Sequence, residues 1–191
     1  MSQDIEEIKA KMWITSRCHM NAERRNRFLE IYFHLLLAFY SVAAIGNSII
    51  GRASGGEISG EIVLYLSILT LSISLIIFGF KFGETAAQHR ACYLELQKLM
   101  GSSHEEDLNR RFIETIANVP NHSTMDYLRL AIAHPFTRVQ NLKLPNGEYY
   151  TATRAALVRY AFNRVAVVMV LVIFTLPAWA VTGLNLSRFF L

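Results

Sequence analysis

The chain has 191 residues, is 52% hydrophobic and carries a formal net charge of +4. Its apolar residues are bunched into long runs, so much of the apolar content faces lipid and does not count toward a water-excluded core. What remains between the runs is too short for a large enzyme domain, although small helical bundles fit.

Residues Ser2–Glu30 read as an amphipathic helix, with Ile5, Ile8 and Met12 at helical spacing and charges on the other side. No Pro or Gly interrupts before Gly46, so one helix is expected to run on into the first uncharged stretch, Tyr32–Ile50. Gly51, Gly55, Gly56 and Gly60 mark a turn, and Ser59 is placed to cap the next helix near Gly60. The second uncharged stretch is Ile62–Phe80. Helical pattern resumes through Glu84–Met100, and Gly101 is a good stop. Two capping boxes follow, Ser103-His104-Glu105-Glu106 and Ser123-Thr124-Met125-Asp126. They predict helices over about Glu105–Asn118 and Thr124–Ala133. Pro135 ends or redirects the second, and Pro145-Asn146-Gly147 is a turn. A last helix starts near Thr151–Thr153 and runs through the third uncharged stretch, Val165–Leu184, where Pro177 should kink it. A helix needs about 20 apolar residues to cross a hydrocarbon core of ~30 Å, and each of the three stretches is long enough.

The basic residues fix an expected orientation. Six Lys and Arg precede the first stretch, one lies in the loop Gly51–Glu61, eleven lie between the second and third stretches, and one follows the third. By the positive-inside rule the N-terminus and the Lys81–Arg164 region are cytoplasmic, while the loop and Asn185–Leu191 face outward. Ser41-Val42-Ala43-Ala44 resembles a signal-peptide cleavage site, but Asp4, Glu6, Glu7, Glu23 and the long polar lead argue against one. The expected fold is an all-α membrane protein. An N-terminal cytoplasmic helix continues into a two-span hairpin with its cytoplasmic extension over residues 1–101. A cytoplasmic helical region covers 102–150, and a third, C-terminal transmembrane helix covers 151–191.

Several local strings in this order carry a resemblance. A basic N-terminal helix holds Arg17, Arg24, Arg25 and Arg27, and two spans are joined by a short loop. The second span continues into Glu84-Thr85-Ala86-Ala87-Gln88-His89-Arg90-Ala91-Cys92-Tyr93, and Val119-Pro120-Asn121-His122-Ser123-Thr124-Met125-Asp126-Tyr127 follows. The chain resembles the SLATT family of small bacterial membrane effectors over roughly Ser2–Tyr127. The third span departs from the family's two and looks like the subgroup associated with reverse transcriptases. The resemblance implies an inner-membrane, multi-pass effector of anti-phage defence. Its partner would be a cytoplasmic sensor, a reverse transcriptase or nucleotide-signalling enzyme. Activation would lead to homo-oligomerisation in the bilayer, membrane damage and abortive infection.

Candidate residues fall into three groups. Asn121, His122, Ser123, Asp126 and Tyr127 form a cytoplasmic interaction element whose plainer role is a helix cap. Free N–H groups at that helix start could otherwise receive an anion or a partner. Ser41 and Asn47 in the first span, with Ser67, Thr70 and Ser74 on one face of the second, form a packing or pore face. Arg24, Arg25, Arg27, Arg110 and Arg111 are candidate contacts to anionic lipid, nucleotide, nucleic acid or partner. Gly79-Phe80-Lys81-Phe82-Gly83 contains G-x-x-x-G, but its central Lys weakens a dimer-seam reading. Cys18-His19 and His89-x-x-Cys92 could in principle ligate zinc. The usual structural-zinc spacings are absent, so small residues packed between helices are expected, with no metal and no cofactor. A disulfide is not expected in a reducing compartment. No catalytic residue is assigned, since no nucleophile-and-base set is legible and there is no Walker loop, dinucleotide fingerprint, G-x-S-x-G or HExxH. A membrane anchor recruiting a nucleic-acid-synthesising partner is the alternative function. An ion-channel or transporter subunit is weaker, because the spans lack Asp, Glu, Lys and Arg.

Overall fold

The computed structural model describes residues 2–54, 58–101, 107–133 and 154–189. They form α1 (Ser2–Ser54), α2 (Ile58–Phe80), α3 (Phe82–Met100), α4 (Leu108–Ala117), α5 (Thr124–Ala133) and α6 (Arg154–Phe189). No strand occurs among the described residues, and the fold is all-α. Three apolar stretches, within Ile5–Ile49, Gly60–Met100 and Arg154–Pro177, are long and apolar enough to cross a membrane.

α1 is a single helix of 53 residues, about 80 Å at 1.5 Å per residue. It carries the expected continuity from polar lead to apolar stretch and goes further, taking Gly46 and Gly51 into the helix. A lone glycine weakens a helix in water by under about 1 kcal/mol, and in lipid an open backbone costs several times more. α2 begins at Ile58, so Ser59 and Gly60 lie inside its first turn and Ser59 is not the cap. α6 continues through Pro177 to Phe189. The proline removes one hydrogen bond, at the Ile173 carbonyl, without ending the helix.

The chain divides into two compact units. One comprises residues 28–82 and 164–191, the other residues 1–27 and 83–163. In the first, Phe33, Leu36 and Tyr40 of α1 pack on Leu66 and Ile73 of α2. The spacings i, i+3, i+7 and i, i+7 each place those residues on one helix face. Phe33 stacks on Phe82 with centroids 5.6 Å apart, and Phe174 of α6 meets Phe33 edge-on at 6.0 Å. The opposite faces are apolar and open: Val42 is 70% and Phe78 77% exposed, which suits contact with lipid chains.

In the second unit Met12 of α1 is buried with Cys92, Leu96 and Leu99 of α3 and Leu108 of α4. Ile5, Ile8, Phe112 and Ile116 pack around them. A smaller cluster joins Cys18 to Leu130 of α5, with Trp13, Ile14 and Tyr127 alongside. α4 starts at Leu108, later than its capping box predicts, with Asp107 at the N-cap making no side-chain cap bond. The box Ser103–Glu106, Pro135 and the Pro145-Asn146-Gly147 turn lie outside the described residues. α3 stops where Gly101 donates its N–H to the carbonyls of Gln97 and Lys98 at 3.3 and 3.1 Å.

Candidate functional site

The start of α5 is built as the sequence pattern requires. Ser123 Oγ accepts from the Asp126 N–H at 3.3 Å, and Asp126 Oδ2 accepts from the Ser123 N–H at 3.0 Å. This is a reciprocal cap with Asp in place of the longer acid. The same Oδ2 also accepts the Ser123 hydroxyl at 2.8 Å. A cation from a distant segment completes the arrangement. Arg25 Nη1 donates to Asp126 Oδ2 at 2.6 Å and to Ser123 Oγ at 2.7 Å. Asn21 Nδ2, one turn earlier on α1, donates to the Asp126 carbonyl at 3.1 Å. The Asp126 side chain is 4% exposed and that of Arg25 39%. A buried carboxylate is tolerated only when paired and hydrogen-bonded, and here it is both. Asp126 therefore occupies the place an external anion would take at this helix start.

Three imidazoles gather beside the cap. His19 of α1 and His89 of α3 are 3% and 1% exposed, and their Nδ1 atoms lie 2.8 Å apart. His122, from the turn before α5, meets His19 edge-on with centroids 5.5 Å apart. Its Nδ1 is buried without a hydrogen-bond partner. Burial pushes His19 down to about 4, with help from His89 and His122, while Asp126 opposes the shift. His89 is also lowered, first by burial and then by Arg25 and His122, again against Asp126. His19 and His89 are therefore neutral imidazoles at ordinary pH.

The neighbouring thiols turn away into apolar clusters. Burial pushes Cys18 up to about 12 and Cys92 up to about 11, so neither is a ready thiolate. Both are free. Among the described residues, no three His, Cys, Asp or Glu side chains are placed to hold a metal ion.

The arginines do not act as one patch. Arg24 and Arg27 are exposed while Arg25 turns inward to α5. Arg110 reaches Asp107 at the α4 N-cap at 3.1 Å and Glu114 within the helix at 3.9 Å, and Arg111 is exposed.

In the spans, each candidate polar side chain bonds its own helix four residues back. Ser41 donates to the Leu37 carbonyl at 2.9 Å, Asn47 to Ala43 at 2.8 Å and Ser67 to Val63 at 2.8 Å. Thr70 donates to Leu66 at 2.8 Å and Ser74 to Thr70 at 3.0 Å. Such back-bonding satisfies a hydroxyl in lipid without bridging helices. The hydroxyls that do bridge come from tyrosines that the sequence reading passed over. Tyr32 donates to the Leu171 carbonyl of α6 at 2.5 Å, and Tyr40 to the Phe174 carbonyl. The available signal was two phenols eight residues apart on one helix face, each needing an acceptor in an apolar run.

One known family matches most of the chain. The family described as SMODS and SLOG-associating 2TM effector domain family 5 matches residues 1–182, which covers both units and reaches well into α6. No curated protein and no solved structure matches the chain.

Proposed function

The chain belongs to the SMODS and SLOG-associating 2TM effector domain family 5, a family of membrane effectors, and from that premise we propose how it acts. Copies associate through their spans in the bacterial inner membrane and permeabilise it when a cytoplasmic sensor is activated, as part of an anti-phage response. The sensor is a reverse transcriptase or a nucleotide-signalling enzyme. The N-terminus lies in the cytoplasm, as the bias of basic residues favours. The damage requires assembly and no catalytic step.

One observation carries this reading. On α2 the buried line Leu66–Ile73 faces α1, while Ser67, Thr70 and Ser74 run along a stripe about 90° round the helix. Ser67 is exposed, and Thr70 and Ser74 are half-buried. The packing within the chain thus leaves this small, hydroxyl-bearing stripe at its margin, available to another copy. Small and hydroxyl residues allow close backbone approach between helices in lipid. Hydroxyls that already bond their own helix can also face water without loss.

The test is membrane potential in cells producing the chain together with an activated partner. Rapid depolarisation is expected, and Thr70→Leu or Ser74→Leu should suppress it at equal membrane abundance. An intact potential, with the partner merely recruited to the membrane, would favour the anchor reading instead.

A further inference from the structure

His19, His89 and His122 serve no step of the proposed membrane damage, yet they sit together where three separate segments meet: α1, α3 and the start of α5. Two facing Nδ1 atoms at 2.8 Å can hold one proton between them. One ring donates and the other accepts, which requires both to be neutral or at most one to be charged. If both rings were imidazolium, two Nδ1–H donors would point at each other across that distance, with two like charges in rings 5.0 Å apart. Little among the described residues offsets such charge. From α1, Arg25 adds a further cation, and Cys18 is a neutral thiol. From α3, Cys92 is likewise neutral. From the α5 side, His122 offers a buried Nδ1 without a partner. Asp126 favours charge on both rings but is already engaged by Arg25 and Ser123.

We propose that His19 and His89, packed beside His122, form a proton-operated latch: as neutral imidazoles these two hold α1 against α3, and proton uptake by them releases that contact. In the closed form burial holds both below the ordinary imidazole range, His19 at about 4. In the opened form they return toward an ordinary value of about 6.5. The opened form therefore binds more protons at any pH between those limits. The contact is at full strength above about pH 6.5 and weakens as pH falls through the window down to about 4. A histidine is the side chain suited to this task, because its free value lies beside intracellular pH. The latch is a property of the extramembrane unit and does not depend on the effector reading. If that reading holds, the latch gives the chain an input besides its partner.

The test is hydrogen–deuterium exchange of the full chain in lipid nanodiscs from pH 8 to pH 4.5, corrected for intrinsic exchange. It is read over the segments that carry His19 and His89. Below about pH 6 the opening constant should rise about tenfold per pH unit for each proton taken up, approaching about a hundredfold for two. His89→Asn keeps a polar group near the Nδ1 position and should reduce the slope to about tenfold per unit. The double variant His19→Asn/His89→Asn should flatten it. A flat wild-type profile, or a full wild-type slope in His89→Asn, overturns the latch. If the variants do not fold, nitrogen-15 histidine spectra of the wild type decide. His19 staying neutral at pH 5 and His89 titrating below the ordinary imidazole range support the latch, and both titrating near 6.5 overturns it. Zinc added at pH 7.5 should leave protection unchanged. Strong protection by zinc that a chelator reverses would make this a metal site and overturn the proton latch.

Discussion

At the scale of single residues, Asp126 has two roles that substitution can separate. Its Oδ2 caps α5 and also pairs with Arg25. Asp126→Asn keeps an acceptor for the cap but loses the charge, and it should lower stability by about 1–2 kcal/mol. Asp126→Ala loses the cap too and leaves the half-buried Arg25 without its counter-ion, for a total of about 2–4 kcal/mol. Arg25→Met leaves the buried Asp126 carboxylate without its counter-ion, so its loss should exceed that from Asp126→Asn; denaturant unfolding of the three variants checks this order. The cysteines make a second expectation. With Cys18 pushed up to about 12 from 9.0, its thiolate fraction at pH 8 is roughly a thousandfold below that of an ordinary thiol. Maleimide should label neither Cys18 nor Cys92 in the folded chain, and both promptly in denaturant. The capping role of Ser123 and Asp126 was legible in the sequence because a box is a local pattern. Arg25 and His89 were not, because their partners lie 101 and 70 positions away and no short pattern encodes such meetings.

At the scale of elements, the break between α2 and α3 is the most informative. A long apolar helix ends at Phe80 and a polar one begins at Phe82, with Lys81 between them at φ 46. Its N–H still reaches the Ile77 carbonyl at 3.1 Å, so Lys81 acts as a left-handed helix stop where glycine is the usual residue. A side chain in that region raises the energy by about 1–2 kcal/mol, and a β-branched one by more. Lys81→Gly should therefore be at least about 1 kcal/mol more stable than Lys81→Val, since both lose the lysine side chain and only one keeps the strain. Thermal unfolding of the pair checks it. The bounds of α5 and the end of α3 were readable because a box and a glycine stop sit there. The Lys81 stop was not, because a lysine carries no breaker signal and Gly79 and Gly83 stand on either side of it. Gly60 misled in the same way: it suggested a turn, yet α2 takes it in, because lipid penalises an open backbone more than glycine penalises a helix.

At the scale of the whole molecule, the all-α membrane architecture was visible in advance, since three long uncharged runs allow little else. Orientation rests on seventeen of nineteen basic residues lying before the first stretch or between the second and third. Reporter fusions after Leu191 and within residues 51–61 should both report the exterior; a cytoplasmic C-terminus would mean that α6 does not cross. What the apolar surfaces do together was not legible, because the same kinds of side chain suit lipid contact and helix packing. Val165, Met169, Val172 and Leu176 of α6 are exposed, as are Val42 and Ile45 of α1, and lipid or a neighbouring copy would cover them equally well. The most direct test is therefore ion efflux from liposomes holding the purified full chain, recorded before and after adding its activated sensor. Efflux that starts on activation, and falls sharply with Thr70→Leu, is expected of an effector that assembles through the α2 stripe. Sealed liposomes that bind the activated sensor without leaking would contradict it.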